Sequence, residues 1–256
     1  MKTFQAFTPR AALLSALIAA AAFATTVAVP AFATDREDRP REVLALKDAR
    51  LKIEFNATDR DVGVQLFVDS EPWRSLDVYD TSGRLLLRAT ARGRFALQGG
   101  TELFMESAEP SLDEVPLDVF LKRFPVGQYK IVAKGIDGLT YVGHANFSHN
   151  IPDGPALVAP AQDEVVSPNN LTVRWQAVAP PNGSPIIGYQ VLVVRPNTGL
   201  PGLPKVVLDV MMPPGATSMQ VPPGFLKADS AYEWEVLAIE AGGNQTLSSR
   251  QFRTSK

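Results

Sequence analysis

From Leu51 onward the chain alternates. Leu51, Ile53 and Phe55 are separated by Lys52 and Glu54; Val64, Leu66 and Val68 follow; Leu76 and Val78 flank Asp77. A period of two turns one set of side chains to a core and the other to water, which predicts half-buried strands. Asp80-Thr81-Ser82-Gly83 reads as a hairpin turn into a strand over Arg84 to Ala89, and Gly99-Gly100 breaks the chain before a strand over Thr101 to Met105. Tyr129, Ile131 and Ala133 alternate again, Asp137-Gly138 supplies the positive φ of a tight turn, and a further strand runs from Leu139 to about Ser148. One stretch keeps another period. Ser111-Leu112-Asp113-Glu114 has the capping-box order, and Leu117, Phe120, Leu121 and Phe124 continue at helical spacing until Pro125. This predicts a short helix crossing one end of a sandwich.

Ile151-Pro152-Asp153-Gly154-Pro155 packs prolines and a glycine into one short stretch, a stiff joint between domains. Beyond it, short alternating stretches lie near Val165, Leu171 to Trp175, Ile187 to Arg195, Lys205 to Val210, Ser218 to Val221, Ala231 to Ile239 and Thr246 to Phe252. Their spacing suits an antiparallel sandwich. The expected fold class is all-β: two tandem β-sandwiches, over 51–150 with an inserted helix and over 156–256, joined by 151–155.

The first 50 residues follow neither pattern. Lys2 and Arg10 precede a long apolar run, and Ala31-Phe32-Ala33 gives the small-x-small pattern of a signal-peptidase site, so 1–33 reads as a cleaved secretory leader. Its alanine-rich style is bacterial, and the expected destination is the periplasm or the cell exterior, with no membrane span after cleavage. Residues 34–50 open with Asp35-Arg36-Glu37-Asp38-Arg39-Pro40-Arg41-Glu42, mixed charges that predict a solvated tether.

Composition narrows the function. Among 256 residues there is no cysteine, which excludes disulfide scaffolds, thiolate zinc sites and cysteine nucleophiles. A formal net charge of −2 provides no broad basic field for nucleic acid. Only two histidines are present, His144 and His149, and their odd separation along one strand points them to opposite faces. Neither a Gly-x-Ser-x-Gly elbow nor a His-Glu-x-x-His motif occurs. Asn56, Asn146, Asn170, Asn182 and Asn244 stand in Asn-x-Ser/Thr frames and read as polar strand ends.

The second domain resembles a fibronectin type III module over about Ala156 to Lys256. Trp175 closes Leu171-Thr172-Val173-Arg174-Trp175 where that family keeps a buried tryptophan, and Ile187-Gly188-Tyr189-Gln190-Val191 matches its third strand. Leu226 to Tyr232 looks like its tyrosine-corner stretch, with Ala228 and Ser230 in place of the usual proline and threonine; Tyr232, Trp234, Val236 and Ala238 then alternate inward. The resemblance implies a binding or spacer module without catalytic residues. Phe124 to Ile131 looks like the late-strand entry of bacterial immunoglobulin-like domains, and together the two resemblances imply tandem immunoglobulin-like/fibronectin type III sandwiches, immunoglobulin-like over 51–150 and fibronectin type III-like over 156–256.

Three surface candidates remain. Asp59 and Asp61 bracket Arg60 ahead of Gly63, and Ala57 to Gln65 resembles a cadherin calcium segment, although Arg60 places a cation between the carboxylates; calcium is the one cofactor considered. Trp73 is the tryptophan not claimed by the second core and is the candidate sugar platform. The Pro/Gly-rich loop Pro196 to Pro204 offers Asn197, Leu200 and Leu203 as binding-surface residues. The expected function is an exported, non-enzymatic binding or spacer protein whose partner is a protein or a cell-surface polymer. The alternatives are an accessory carbohydrate-binding protein and a calcium-dependent adhesion module.

Overall fold

The computed structural model describes residues 42–196, 202 and 205–256. The expected leader, residues 34–41 of the expected tether and the loop candidates Asn197, Leu200 and Leu203 lie outside the described residues.

The protein is all-β, with two sandwiches in tandem. The first contains β1 (Val43–Ala45), β2 (Asp48–Asn56), β3 (Asp61–Tyr79), β4 (Leu85–Thr90), β5 (Gly100–Glu106), β6 (Gly127–Gly135) and β7 (Thr140–Phe147). Two short helices interrupt it: α1 (Phe95–Gln98) between β4 and β5, and α2 (Leu117–Arg123) between β5 and β6. The alternations around Leu66 and Leu76, read as separate strands, belong to one long strand. β3 pairs with β2 and β5 along its first half, then with β6 and β4 along its second, with register breaks between Asp69 and Ser75. Pro72 sits at this changeover. Having no N–H, it is tolerated where a ladder is already interrupted. By serving both layers, β3 encloses a core that includes Ile53, Val64, Leu66, Leu76, Tyr129 and Ile131.

The helix and the tether need correction. Ser111 Oγ accepts from the Asp113 N–H at 3.2 Å, and the Ser111 carbonyl takes the amides of Glu114 and Val115, which makes an isolated turn. Helix α2 begins only after Pro116, its N-cap. A proline disfavours the helical conformation in the residue before it, so Ser111 cannot cap a run that must pass through Pro116. Phe120 anchors the helix in the core. Within the expected tether, Val43–Ala45 forms β1, parallel to β7, and β2 already starts at Asp48. The apolar residues Val43, Leu44 and Leu46 end the charged run sooner than its composition suggested.

The second sandwich has one sheet of β13 (Ser218–Gln220), β10 (Thr172–Trp175) and β8 (Leu157–Ala159). Its other sheet joins β12 (Val206–Met212), β11 (Ile186–Val194), β14 (Ala231–Glu240), β15 (Gln245–Thr254) and β9 (Glu164–Val166). Trp175, Tyr189, Val191, Trp234, Val236 and Phe252 fill the space between them. Tyr232 Oη accepts the Lys227 N–H at 2.9 Å, which is the bond that defines a tyrosine corner.

The two sandwiches share a sheet. β15 lies parallel to β2, pairing Gln245 with Glu54 and Leu247 with Asn56, and all described residues fall in one compact unit. The joint at 151–155 is packed rather than free: Thr246 Oγ1 donates to the Pro152 carbonyl at 2.6 Å, and a Cβ on Gly154 would lie 2.5 Å from Ala57.

Candidate interaction surface

The seam between the sandwiches is polar and internally satisfied. Asn244 Oδ1 accepts the Ile53 N–H at 2.8 Å, while its Nδ2 donates to the Ser148 and Asn150 carbonyls and to Ser148 Oγ. Glu240, fully buried, accepts from Ser184 Oγ at 2.5 Å and from the amides of Gly242 and Asn244. A buried carboxylate with that many donors is compensated. This arrangement fixes the β14–β15 turn against β2 and leaves nothing for a reactant.

On the outer face of the shared sheet, strand register sets Lys52, Gln65 and Glu106 in one row and Arg50, Phe67 and Phe104 in the next. Arg50 lies over the Phe67 ring, 4.4 Å from its centroid. Gln65 Nε2 donates to Glu54 at 2.9 Å and to Glu106 at 2.6 Å; Gln245 also donates to Glu54, and Lys52 donates to Gln245 at 2.7 Å. Glu109 lies over Gly63, where a Cβ would meet its Cγ at 2.8 Å, so this approach requires the glycine. Burial, with the charges of Glu106, Asp61 and Glu54, pushes the Glu109 carboxyl up to about 7. Burial also raises Glu54, against the lowering effect of the Gln245 hydrogen bond. On β14, burial and then the charges of Glu233, Glu54 and Asp59 push Glu235 up to about 7. Glu54, Glu106 and Glu109 bring ligand oxygens within 4.8 Å of one another, the one such trio among the described residues. All-oxygen donors suit a hard cation, yet two of these carboxylates are already engaged by glutamine amides.

The open side of the first sandwich is apolar. β5 pairs with the first half of β3 and β4 with the second, and among the described residues neither has another strand partner. A cleft of about 200 Å³ is lined by Leu51, Val64, Val78 and Phe124, with Leu86 and Leu87 from β4 and Met105 from β5. Leu85, Leu86 and Phe104 are exposed. An unpaired edge next to apolar surface is a template for an added strand: backbone groups supply the ladder and the cleft receives alternate side chains.

The sequence candidates distribute differently. Trp73 is 7% exposed and belongs to the first core, so the sugar-platform expectation is corrected: stacking needs an open ring face. Asp59 lies in the β2–β3 turn, bonded to Asn56 Nδ2 at 2.9 Å, and Asp61 starts β3 opposite Asn56. Arg60 turns to Asp113 at 3.6 Å, and no third carboxylate joins Asp59 and Asp61 among the described residues. The convergent calcium loop is thus replaced by an Asn-capped turn. His144 is exposed on β7; His149 follows that strand, with Nε2 2.8 Å from the Phe124 carbonyl and its ring edge-on to Phe147. The sequence reading missed the open edges. No local signal sets them apart: Leu85-Leu86-Leu87 on β4 and Leu103-Phe104-Met105 on β5 are runs of three apolar residues, but so are Leu66-Phe67-Val68 and Ile131-Val132-Ala133 on strands with two neighbours.

The fibronectin type III domain model matches residues 159–254. That segment is a fibronectin type III module, an interaction or spacer fold. No curated protein sequence matches the chain. Among solved structures, an engineered protein is 18% identical with a TM-score of 0.30, covering 43% of this chain and 21% of its own. The FN1–FN3 domains of chicken CNTN1 are 13% identical with a TM-score of 0.32, covering 84% of this chain and 66% of theirs. This chain therefore spans only about a fifth of the first of these and two thirds of the second. Among the described residues, no helix is long and apolar enough to cross a membrane.

Proposed function

We propose that the protein is an exported, non-enzymatic binding or spacer protein that holds a macromolecular partner outside the cytoplasm. The first sandwich makes the contact, and the fibronectin type III module is the rigid support behind it. The observation that carries this reading is the pair of strands, β4 and β5, each left with one open edge among the described residues, beside an apolar cleft that both line. Export rests on the leader signature of residues 1–33. The absence of a catalytic role rests on the module family and on a seam whose buried polar groups bond to one another.

The test is capture from a cell-envelope extract on immobilised protein. Wild type should retain a saturable polypeptide. Leu86→Lys, which places a charge on the β4 edge, should release it, and Ile187→Lys on the exposed surface of the second sandwich should not. Equal capture by all three proteins, or turnover on a hydrolase substrate panel without any capture, overturns the reading.

A further inference from the structure

Between Asp80 and Glu102 the chain carries four arginines, Arg84, Arg88, Arg92 and Arg94, and no acidic residue. In a chain of net charge −2 this is a concentrated patch of positive charge. Two of the four are committed: Arg84 Nε donates to Asp80 at 3.0 Å, and Arg88 grips both carboxylate oxygens of Asp77 at 2.7 Å. Arg92 and Arg94 are exposed and make no ion pair among the described residues. Directly after them stand the two most exposed large hydrophobic side chains of the described residues, Phe95 at 72% and Leu97 at 80%.

The loop that presents them is built rather than loose. Its ends are tied to β3, by the Ala91 N–H on the Arg74 carbonyl at 2.8 Å and by the pairing of Gly100 with Trp73. A Cβ on Gly100 would lie 2.7 Å from the Trp73 ring, so the loop leans directly on the core tryptophan. Inside it, the amides of Phe95, Ala96, Leu97, Gln98 and Gly99 all donate to carbonyls of the same loop. A peptide strand would find no free ladder here, whereas a self-satisfied backbone is what a low-dielectric surface demands. The loop also lies at the β3 changeover. The first half of β3, from Asp61 to Asp69, spans about 25 Å of extended chain between the seam hairpin and that corner.

We propose that the Arg92–Leu97 loop docks the protein onto an anionic lipid bilayer. Phe95 and Leu97 enter the boundary between headgroups and acyl chains, and the Arg92 and Arg94 guanidiniums meet lipid phosphates. The loop joins the two edge strands, β4 and β5, but offers lipid-facing side chains rather than a ladder, and its test does not depend on a polypeptide partner.

The experiment uses residues 34–256, which retain every described element and lack the apolar leader that would itself enter lipid. Sedimentation is measured with vesicles of phosphatidylglycerol and phosphatidylcholine in equal amounts, and with phosphatidylcholine alone. Wild type should bind the anionic vesicles, more weakly as salt rises, and should not bind the neutral ones. Arg92→Ser with Arg94→Ser should weaken binding about 30-fold, and Phe95→Ser with Leu97→Ser should abolish it, with melting temperatures unchanged. A Phe95→Trp variant supplies a second readout: its emission should shift to shorter wavelength on anionic vesicles. Three results each overturn the proposal: no binding to anionic vesicles, binding that survives both double variants, or a Phe95→Trp emission that responds to a captured protein but not to lipid.

Discussion

Ile53 and Asn244 lie 191 positions apart in the chain, yet the amide of one donates to the side-chain oxygen of the other at 2.8 Å inside the seam. Removing that acceptor leaves a buried N–H with no water to take its place. Asn244→Ala should destabilise the protein by about 1–3 kcal/mol. Urea denaturation should then resolve two transitions, one per sandwich, where wild type shows one.

Tyr232 provides the matching test within the second sandwich. Tyr232→Phe removes the acceptor of the Lys227 amide while keeping the ring stacked on Phe252. The expected loss is about 1 kcal/mol, typical of a single hydrogen bond. Trp234→Ala empties the centre of the same core and should cost about 3–5 kcal/mol. Equilibrium unfolding of both variants gives the comparison.

The acidic outer face sets the pH dependence. Glu109 and Glu235 rise from an ordinary value of 4.5 to about 7, so the folded state holds their protons more tightly than the unfolded chain does. Between those values stability falls as pH rises, and above about pH 7 the penalty is complete. Asp80 acts in the opposite sense: hydrogen bonds from Ser82, then Arg84, hold it down to about 2, so its contribution is present above about pH 4 and is lost on further acidification. Melting temperature should therefore be higher near pH 5 than at pH 8. Glu109→Gln and Glu235→Gln should each flatten that slope.

The trio Glu54, Glu106 and Glu109 also makes calcium titration informative. With glutamine amides already on Glu54 and Glu106, millimolar calcium should leave the melting curve of wild type unmoved. In Gln65→Ala, which frees Glu106 of its amide donor, it should raise the melting temperature. Differential scanning calorimetry with calcium and with chelator reads both.

What the sequence disclosed and what it concealed differ by range. The alternation of Leu51 with Ile53, the turn at Gly138 (φ +84°) and the Tyr232 corner are local and were readable. The helix start was misread because a capping pattern at Ser111 competes with Pro116 five positions on, and the proline decides. Asn244 looked like one more polar strand end. Its partners, Ile53, Ser148 and Asn150, lie in the other sandwich, and no local pattern announces a contact of that span. The open edges escaped for the same reason: a strand's pattern tells which face is buried, not which neighbour is missing.

The parallel pairing of β15 with β2 also imposes an order on synthesis. The strand that covers the β2 edge comes long after it, Gln245 standing 191 positions beyond its partner Glu54, so the first sandwich leaves the ribosome with that flank bare and keeps it so until the second sandwich has been made. A prematurely terminated product would carry a permanently uncovered flank, prone to sticking to its own kind.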